Sequence, residues 1–370
     1  MEQLTFICDE CHRELPLSEL NEIGNRRLCD GCHSWLTVEC ECCGDLFLRS
    51  EMHGDTDICE ECYEENYVTC TRCGEIIEYS SALTDDSGSF YCRYCYEEKY
   101  PTERRILNYS YKPEPIFYGD DPRYFGVELE IDKGGYDHDH AGTIRDMANS
   151  EEEHLYIKQD GSLEDGFELV THPMTLDYHK EKMPWRKVMD KALNLGYLSH
   201  KTATCGLHIH VNRTSLGDTR EAQDDTIARI MFFFEANWEK VLRFSRRTPR
   251  QLEQWANRYG SKAAPKDIMD EAKKGSRGRY VCINIMNYHT VEFRVFRGTL
   301  KYNTLIAALQ FVNTICDAAF SMSDKEIADF TWDKFVESLD PEEHKELLTY
   351  LDERGIGKEA LHERSLAACS

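Results

Sequence analysis

The 370-residue chain contains no apolar run near the ~20 residues a membrane helix requires, so a membrane span is not expected. Its opening residues, Met1-Glu2-Gln3-Leu4, show neither the basic n-region nor the apolar h-region of a secretory signal. The sequence therefore predicts a cytoplasmic setting in which thiols stay reduced. A Gly-x4-Gly-Lys-Ser/Thr loop is also absent, which removes P-loop nucleotide chemistry. Positive charge is scarce, with 44 Lys and Arg against 68 Asp and Glu, a net charge of −24. The shortage is sharpest in residues 1–100, where 7 basic residues face 23 acidic ones, a net −16. Such a segment repels a phosphate backbone, so nucleic acid is not an expected partner.

Cysteine, in contrast, is abundant and clustered. Thirteen of the 17 cysteines precede residue 96, while Cys205, Cys282, Cys316 and Cys369 are scattered singly. In a reducing compartment, clustered pairs read as metal ligands and not as a disulfide framework. Three segments repeat with a period near 30 residues. Cys8/Cys11 pair with Cys29/Cys32, Cys40/Cys43 with Cys59/Cys62, and Cys70/Cys73 with Cys92/Cys95, across 17, 15 and 18 intervening residues. Two residues between cysteines let a tight knuckle aim both sulfurs at one point, and a second knuckle completes a tetrahedral S4 site suited to Zn2+. About three structural Zn2+ ions are thus expected, and four thiolates leave no open position for catalysis. Cys42 is the odd residue, and His12, His33 and His53 are the candidates to replace a ligand. The layout resembles treble-clef or LIM-type zinc modules.

At this length the chain is expected to hold one substantial domain and something smaller. The composition predicts zinc repeats over 1–100, a Pro-rich linker over 101–122, a larger α+β domain over 123–322 and a helical extension over 323–370. Period-two alternation in Phe125-Gly126-Val127-Glu128-Leu129-Glu130-Ile131 places Glu128 and Glu130 on one strand face. A glycine-bearing turn between short strands brings in Asp160 and Glu168. Gly206-Leu207-His208-Ile209-His210 sets two imidazoles on one face of a further strand, and Val291-Glu292-Phe293-Arg294-Val295-Phe296-Arg297 sets Glu292 beside Arg294. Acids, imidazoles and a guanidinium repeated on strand faces point to one site assembled across a sheet. Hard oxygen ligands favour Mg2+ or Mn2+, and Arg279, Arg294 and Arg297 suit phosphate. Single helices are predicted over 176–195, 227–244 and 304–320, two short polar helices over 324–362, and the charged stretch 245–278 reads as a lid or a solvated loop.

Taken in order, Gly126-Val127-Glu128-Leu129-Glu130, Asp160 to Glu168, Gly206-Leu207-His208-Ile209-His210 and Val291-Glu292-Phe293-Arg294 resemble the motifs of the amidoligase family, within the glutamine synthetase-like carboxylate-amine ligases. The resemblance covers roughly residues 123–320. It implies a glutamine synthetase-like antiparallel sheet with packed helices, and an ATP-dependent enzyme joining a carboxylate to an amine through an acyl phosphate. It further implies that Glu130, Glu168 and Asp160 hold one divalent ion, that Glu128, His208 and Glu292 hold another with His210 nearby, and that Arg294, Arg279 and Arg297 meet phosphate. Asp160 departs from the glutamate of glutamine synthetase itself. The implied partners are carboxylate and amine substrates, peptide or protein among them, with the zinc modules recruiting a protein. Two other readings stay open on the residues alone: a zinc-module adaptor with a degenerate ligase domain, and a metal-dependent phosphoesterase.

Overall fold

The computed structural model describes residues 4–85, 87–99, 105–275 and 278–358. The chain divides into two compact units, Met1–Glu103 and Arg104–Ser370.

In the first unit each repeat is built alike. Cys8 and Cys11 lie in the turn of a hairpin pairing Thr5–Ile7 with Glu14–Pro16, and a second hairpin, Leu20–Ile23 with Arg26–Cys29, delivers Cys29 to the start of helix Asp30–Leu36. Hairpins Thr37–Glu39 with Leu46–Leu48 and Tyr67–Thr69 with Ile76–Glu78 repeat the knuckle, ahead of helices Glu60–Asn66 and Arg93–Lys99. The residue after each knuckle's second cysteine closes the turn, donating its N–H to the first cysteine's carbonyl: His12 to Cys8, Gly44 to Cys40 and Gly74 to Cys70, each at 2.9 Å. That turn requires positive φ, found at 58°, 77° and 77°. Glycine meets the demand twice, and His12 occupies the same left-handed position in the first repeat. The buried apolar side chains per repeat are few, Phe6 and Leu28 in the first, Met52 and Ile58 in the second, Leu83, Tyr91 and Tyr96 in the third. Cores of this size do not hold a fold without a staple.

The second unit is an α+β domain around one six-stranded sheet. Its strands are β1 (Phe125–Ile131), β2 (Leu155–Lys158), β3 (Phe167–Thr171), β4 (Gly206–Asn212), β5 (Ile283–Asn284) and β6 (Thr290–Arg297). They run β2-β3-β1-β4-β6-β5, with every neighbouring pair antiparallel. Val127, Leu129, Ile131, Leu207, Ile209, Val211 and Phe293 turn one way into a continuous core shared with the helices. Ring contacts between Phe234 and Phe293 and between Phe244 and Phe296 seat the helical layer on that face. Helix Tyr302–Ser321, long and apolar enough to cross a membrane, lies mostly buried in this core.

Several expected elements differ in detail. The predicted helix over 176–195 is two helices, Leu176–Glu181 and Trp185–Asn194, because Pro184 interrupts the ladder. The 227–244 helix starts earlier, at Arg220, where Thr219 caps it, and breaks at Asn237. The described part of the predicted linker is no spacer. Leu107 N–H donates to Ile157 O and Gln159 N–H to Leu107 O, each at 2.8 Å, and Tyr118 pairs with the segment after β3. Ile106 and Tyr118 are buried, and their apolar surface holds the stretch against the sheet despite its prolines. Residues 323–358 likewise belong to the domain: Trp332, Phe335, Val336, Leu347, Leu351 and Ile356 join its core. The 245–278 stretch is neither free lid nor solvated loop, since helices Pro249–Trp255 and Pro265–Lys273 bury Leu252, Ile268, Met269 and Ala272. Residues 276 and 277 of that stretch, and 359–362 of the predicted terminal helices, lie outside the described residues.

Candidate metal centres and a cleft on the sheet

In the first unit the four cysteines of each repeat bring their sulfurs within 4.8 Å of one another. Cys11 and Cys29 Sγ lie 3.9 Å apart, Cys73 and Cys92 Sγ 3.6 Å. Zn–S bonds of about 2.3 Å arranged tetrahedrally require sulfurs about 3.8 Å apart, so the residues fit Zn2+. Burial opposes ionisation of Cys8 and Cys70, yet knuckle N–H groups outweigh it, and for Cys40 those N–H groups are the leading influence. All three thiols are lowered to about 6. His53 is engaged elsewhere, stacked on Tyr63 and 3.0 Å from Glu60. Each of the three clusters is complete with the four cysteines of its two knuckles, and Cys42 lies beside Cys62.

In the second unit the polar face of the sheet carries the other predicted residues. Register aligns Lys158 with Glu168 and Glu168 with Glu130 in one row, Glu128 with His208 in the next, and His210 with Glu292 in a third. Glu128 is the hub. Its Oε2 lies 3.2 Å from His208 Nδ1 and its Oε1 3.2 Å from His210 Nε2. His208 also faces Glu292 Oε1 and Glu130 Oε1, each at 3.7 Å. Glu292 is oriented by the amides of Asn284 at 2.8 Å and Asn287 at 3.4 Å and by the guanidinium of Arg294.

Groups here that converge closely enough for an ion include Glu128, Glu168 and His208, and Glu128, His210 and Glu292. The second includes a telling atom, since His210 Nε2 is buried, approaches Glu128 and makes no hydrogen bond. A buried ring nitrogen that lies 3.2 Å from a carboxylate oxygen without hydrogen-bond geometry fits a shared metal ligand set. Separations of 3.2 Å also match neighbouring ligands about 2.1 Å from one octahedral ion. Glu128 serves both sets, and the Glu128, His208 and Glu292 set that the family resemblance implies also lies close together, His208 Nδ1 being 3.2 Å from Glu128 and 3.7 Å from Glu292. Glu130, 3.7 Å from His208 and paired in register with Glu168, lines an adjacent cleft together with Asp160.

The electrostatics express crowding of like charges. Burial, then the charges of Glu128 and Glu130, push the Glu168 carboxyl well above the usual range. Burial also raises Glu130, only partly offset by His208. Glu128 goes the other way: its burial is outweighed by His210 and His208, which hold it well below the ordinary value. A divalent cation among these groups would favour the ionised form of every one.

Beside the clusters opens a cleft of about 420 Å³, lined on its floor by Glu130, Asp160, His208, Arg247 and Arg294. Asp132, buried at the end of β1, accepts N–H groups from Lys133, Glu164 and Asp165, fixing the loop that carries Asp160. Arg279 also lines the cleft, hydrogen-bonded to the hydroxyls of Tyr109 and Tyr280. Arg297 does not line it. A bulge in β6 opposite His208 shifts the pairing between Leu207 and Ile209, and Arg297 gives its terminal nitrogens to the carbonyls of Arg246 and Thr202. The residues missed from the sequence are Arg247, Asn284 and Lys158. Asn284 and Lys158 stood within reach of a register argument; Arg247 had no local signal.

No curated protein matches the chain. A crystal structure of a bifunctional glutathione synthetase from Pasteurella multocida is similar over 65% of this chain at 13% identity and a TM-score of 0.32. The match covers 46% of that synthetase, less than half its length. Residues 144–316, which include Asp160, Glu168, His208, His210, Glu292 and Arg294, match the model of the family described as "Putative amidoligase enzyme".

Proposed function

We propose that the second unit is an ATP-dependent carboxylate-amine ligase of glutamine synthetase-like architecture. The observation that carries this reading is the convergence of Glu128, Glu130, Glu168, Glu292, His208 and His210 on one sheet face beside a cleft holding Arg247 and Arg294. Buried carboxylates in such number are costly without cations to balance them, and phosphoryl transfer needs cations and little else from a protein. Glu128, Glu168 and His208 would hold one Mg2+ or Mn2+, and Glu128, His210 and Glu292 another. When bound, such ions neutralise the polyphosphate charge. Asn284, Asn287 and Arg294 fix the Glu292 carboxylate, and Arg294 extends the positive charge toward the cleft.

In the reaction a substrate carboxylate oxygen attacks the γ-phosphorus, the bond from that phosphorus to the bridging oxygen breaks, and ADP leaves. An amine then attacks the acyl carbon, phosphate departs, and the nitrogen loses a proton to give an amide or isopeptide bond. The zinc unit would present a peptide or protein to this domain, in a cytoplasmic setting whose reducing conditions would keep its cysteines available as ligands.

The test is calorimetric titration of ATP into the whole protein with and without Mg2+, beside Glu292→Gln. Saturable binding that needs the metal and weakens at least about tenfold in the variant is the expected result. A folded wild-type protein showing no metal-dependent ATP binding would sink the ligase reading.

A further inference from the structure

Arg247 occupies an unusual position. Helix Trp238–Ser245 ends with Arg246 in the left-handed conformation, φ 61°, which turns the chain back toward the sheet. Arg247 N–H then donates to Ser245 Oγ at 3.1 Å, and Thr248 caps the next helix, Pro249–Trp255. Its backbone is thus fixed between two helix ends. The side chain is 6% exposed, and Nε donates to Phe296 O at 3.2 Å, which sets the plane of the guanidinium.

The terminal nitrogens are what distinguish it. Among the described residues neither makes a hydrogen bond, although Arg247 lines the cleft with Glu130, His208 and Arg294. Arg297, at the end of β6, behaves in the opposite manner, giving both terminal nitrogens to carbonyls. A buried guanidinium held by Nε alone, with its fork open to a cleft, is costly as a structural element and suited to an anion. Burial lowers it to about 10, so it stays charged at neutral pH. Gly206 belongs to the same arrangement. A Cβ there would come within 2.7 Å of both Arg247 Nη2 and His208 Nε2, so the glycine ahead of the two histidines is what lets the arginine reach the site.

Resting on the ligase reading, we propose that Arg247 is a catalytic residue whose guanidinium fork, together with Arg294, grips the γ-phosphoryl group of ATP as it passes to the substrate carboxylate. The two guanidiniums meet oxygens of the phosphoryl group while its bond to ADP breaks and its bond to the carboxylate oxygen forms, so their contact strengthens as charge redistributes.

The experiment is titration of MgATP and MgADP separately into the whole protein, for wild type, Arg247→Met, Arg247→Lys and Arg297→Met. Arg247→Met is expected to weaken MgATP at least about tenfold and MgADP less than about twofold, with Arg247→Lys between, because it keeps the charge and loses the fork. Arg297→Met should lower the thermal midpoint and leave the ATP-to-ADP ratio as in wild type. If Arg247→Met does not fold, Arg247→Lys carries the comparison. Wild-type MgATP affinity in a folded Arg247 variant, or equal losses for both nucleotides, would overturn the assignment while leaving the ligase reading in place. A wild type that binds neither nucleotide overturns both.

Discussion

The two units solve the same stability problem with different materials. In Met1–Glu103 the buried apolar residues come in small separate groups around each cysteine cluster, whereas in Arg104–Ser370 one continuous core runs through the sheet and its helices. The first is therefore expected to depend on ligand chemistry and the second on packing. The lesson extends to function. Where four sulfurs converge on one point, a bound Zn2+ would be closed to substrate; where packing holds the fold, the polar sheet face carries buried carboxylates that cost stability and, on the proposed reading, serve chemistry.

Removing metal should separate the units most strongly. Structural zinc supplies on the order of 10 kcal/mol per site, so chelation, or Cys59→Ser for its own repeat, is expected to unfold the zinc unit. Elemental analysis should give three ions per chain before chelation, and the near-ultraviolet signal of Trp185, buried in the second unit, should persist afterwards. Loss of that signal with the zinc would break the contrast. A core truncation should do the reverse. Phe311 is fully buried and meets Phe234, Phe244, Trp332 and Phe335, so Phe311→Ala should cost about 3–5 kcal/mol in the second unit, measured by urea midpoint, with zinc content unchanged.

A smaller effect sharpens the picture of the packed unit. His179 is fully buried, its Nε2 donating to Phe125 O at 3.1 Å and its Nδ1 accepting from Trp185 Nε1 at 3.3 Å. Burial lowers it from 6.5 to about 4. As pH falls below 6.5 the unfolded chain takes up the proton first, so stability is full above that value and declines until about pH 4. The total loss is about 3 kcal/mol, and His179→Gln should flatten the decline when unfolding is followed through Trp185.

Legibility in the sequence followed the range of the interaction. Cysteine spacing is local, and it specified three sulfur clusters and their knuckles; the left-handed residue that closes each knuckle, supplied by His12, Gly44 and Gly74, came from the structure. Period-two alternation is local as well, and it placed Glu128 with Glu130 and His208 with His210 on one face. It could not foresee the bulge opposite His208, or that Arg297 gives its terminal nitrogens to backbone carbonyls. Nor could composition separate polar helices that expose every face from those that bury Trp332 and Phe335, or a spacer from a stretch whose Ile106 is needed by the core.

By itself, then, the amino-acid sequence determined the two-part division, the three four-sulfur clusters and the placing of acids and histidines on one sheet face, because knuckle spacing and strand period act within a few residues. Only the tertiary structure decided how those ligands are grouped around Glu128 and that Arg247 reaches the cleft. Both depend on strand order and on close approaches between residues 40 or more positions apart, such as Arg247 with Gly206 and Phe296, which no local pattern encodes.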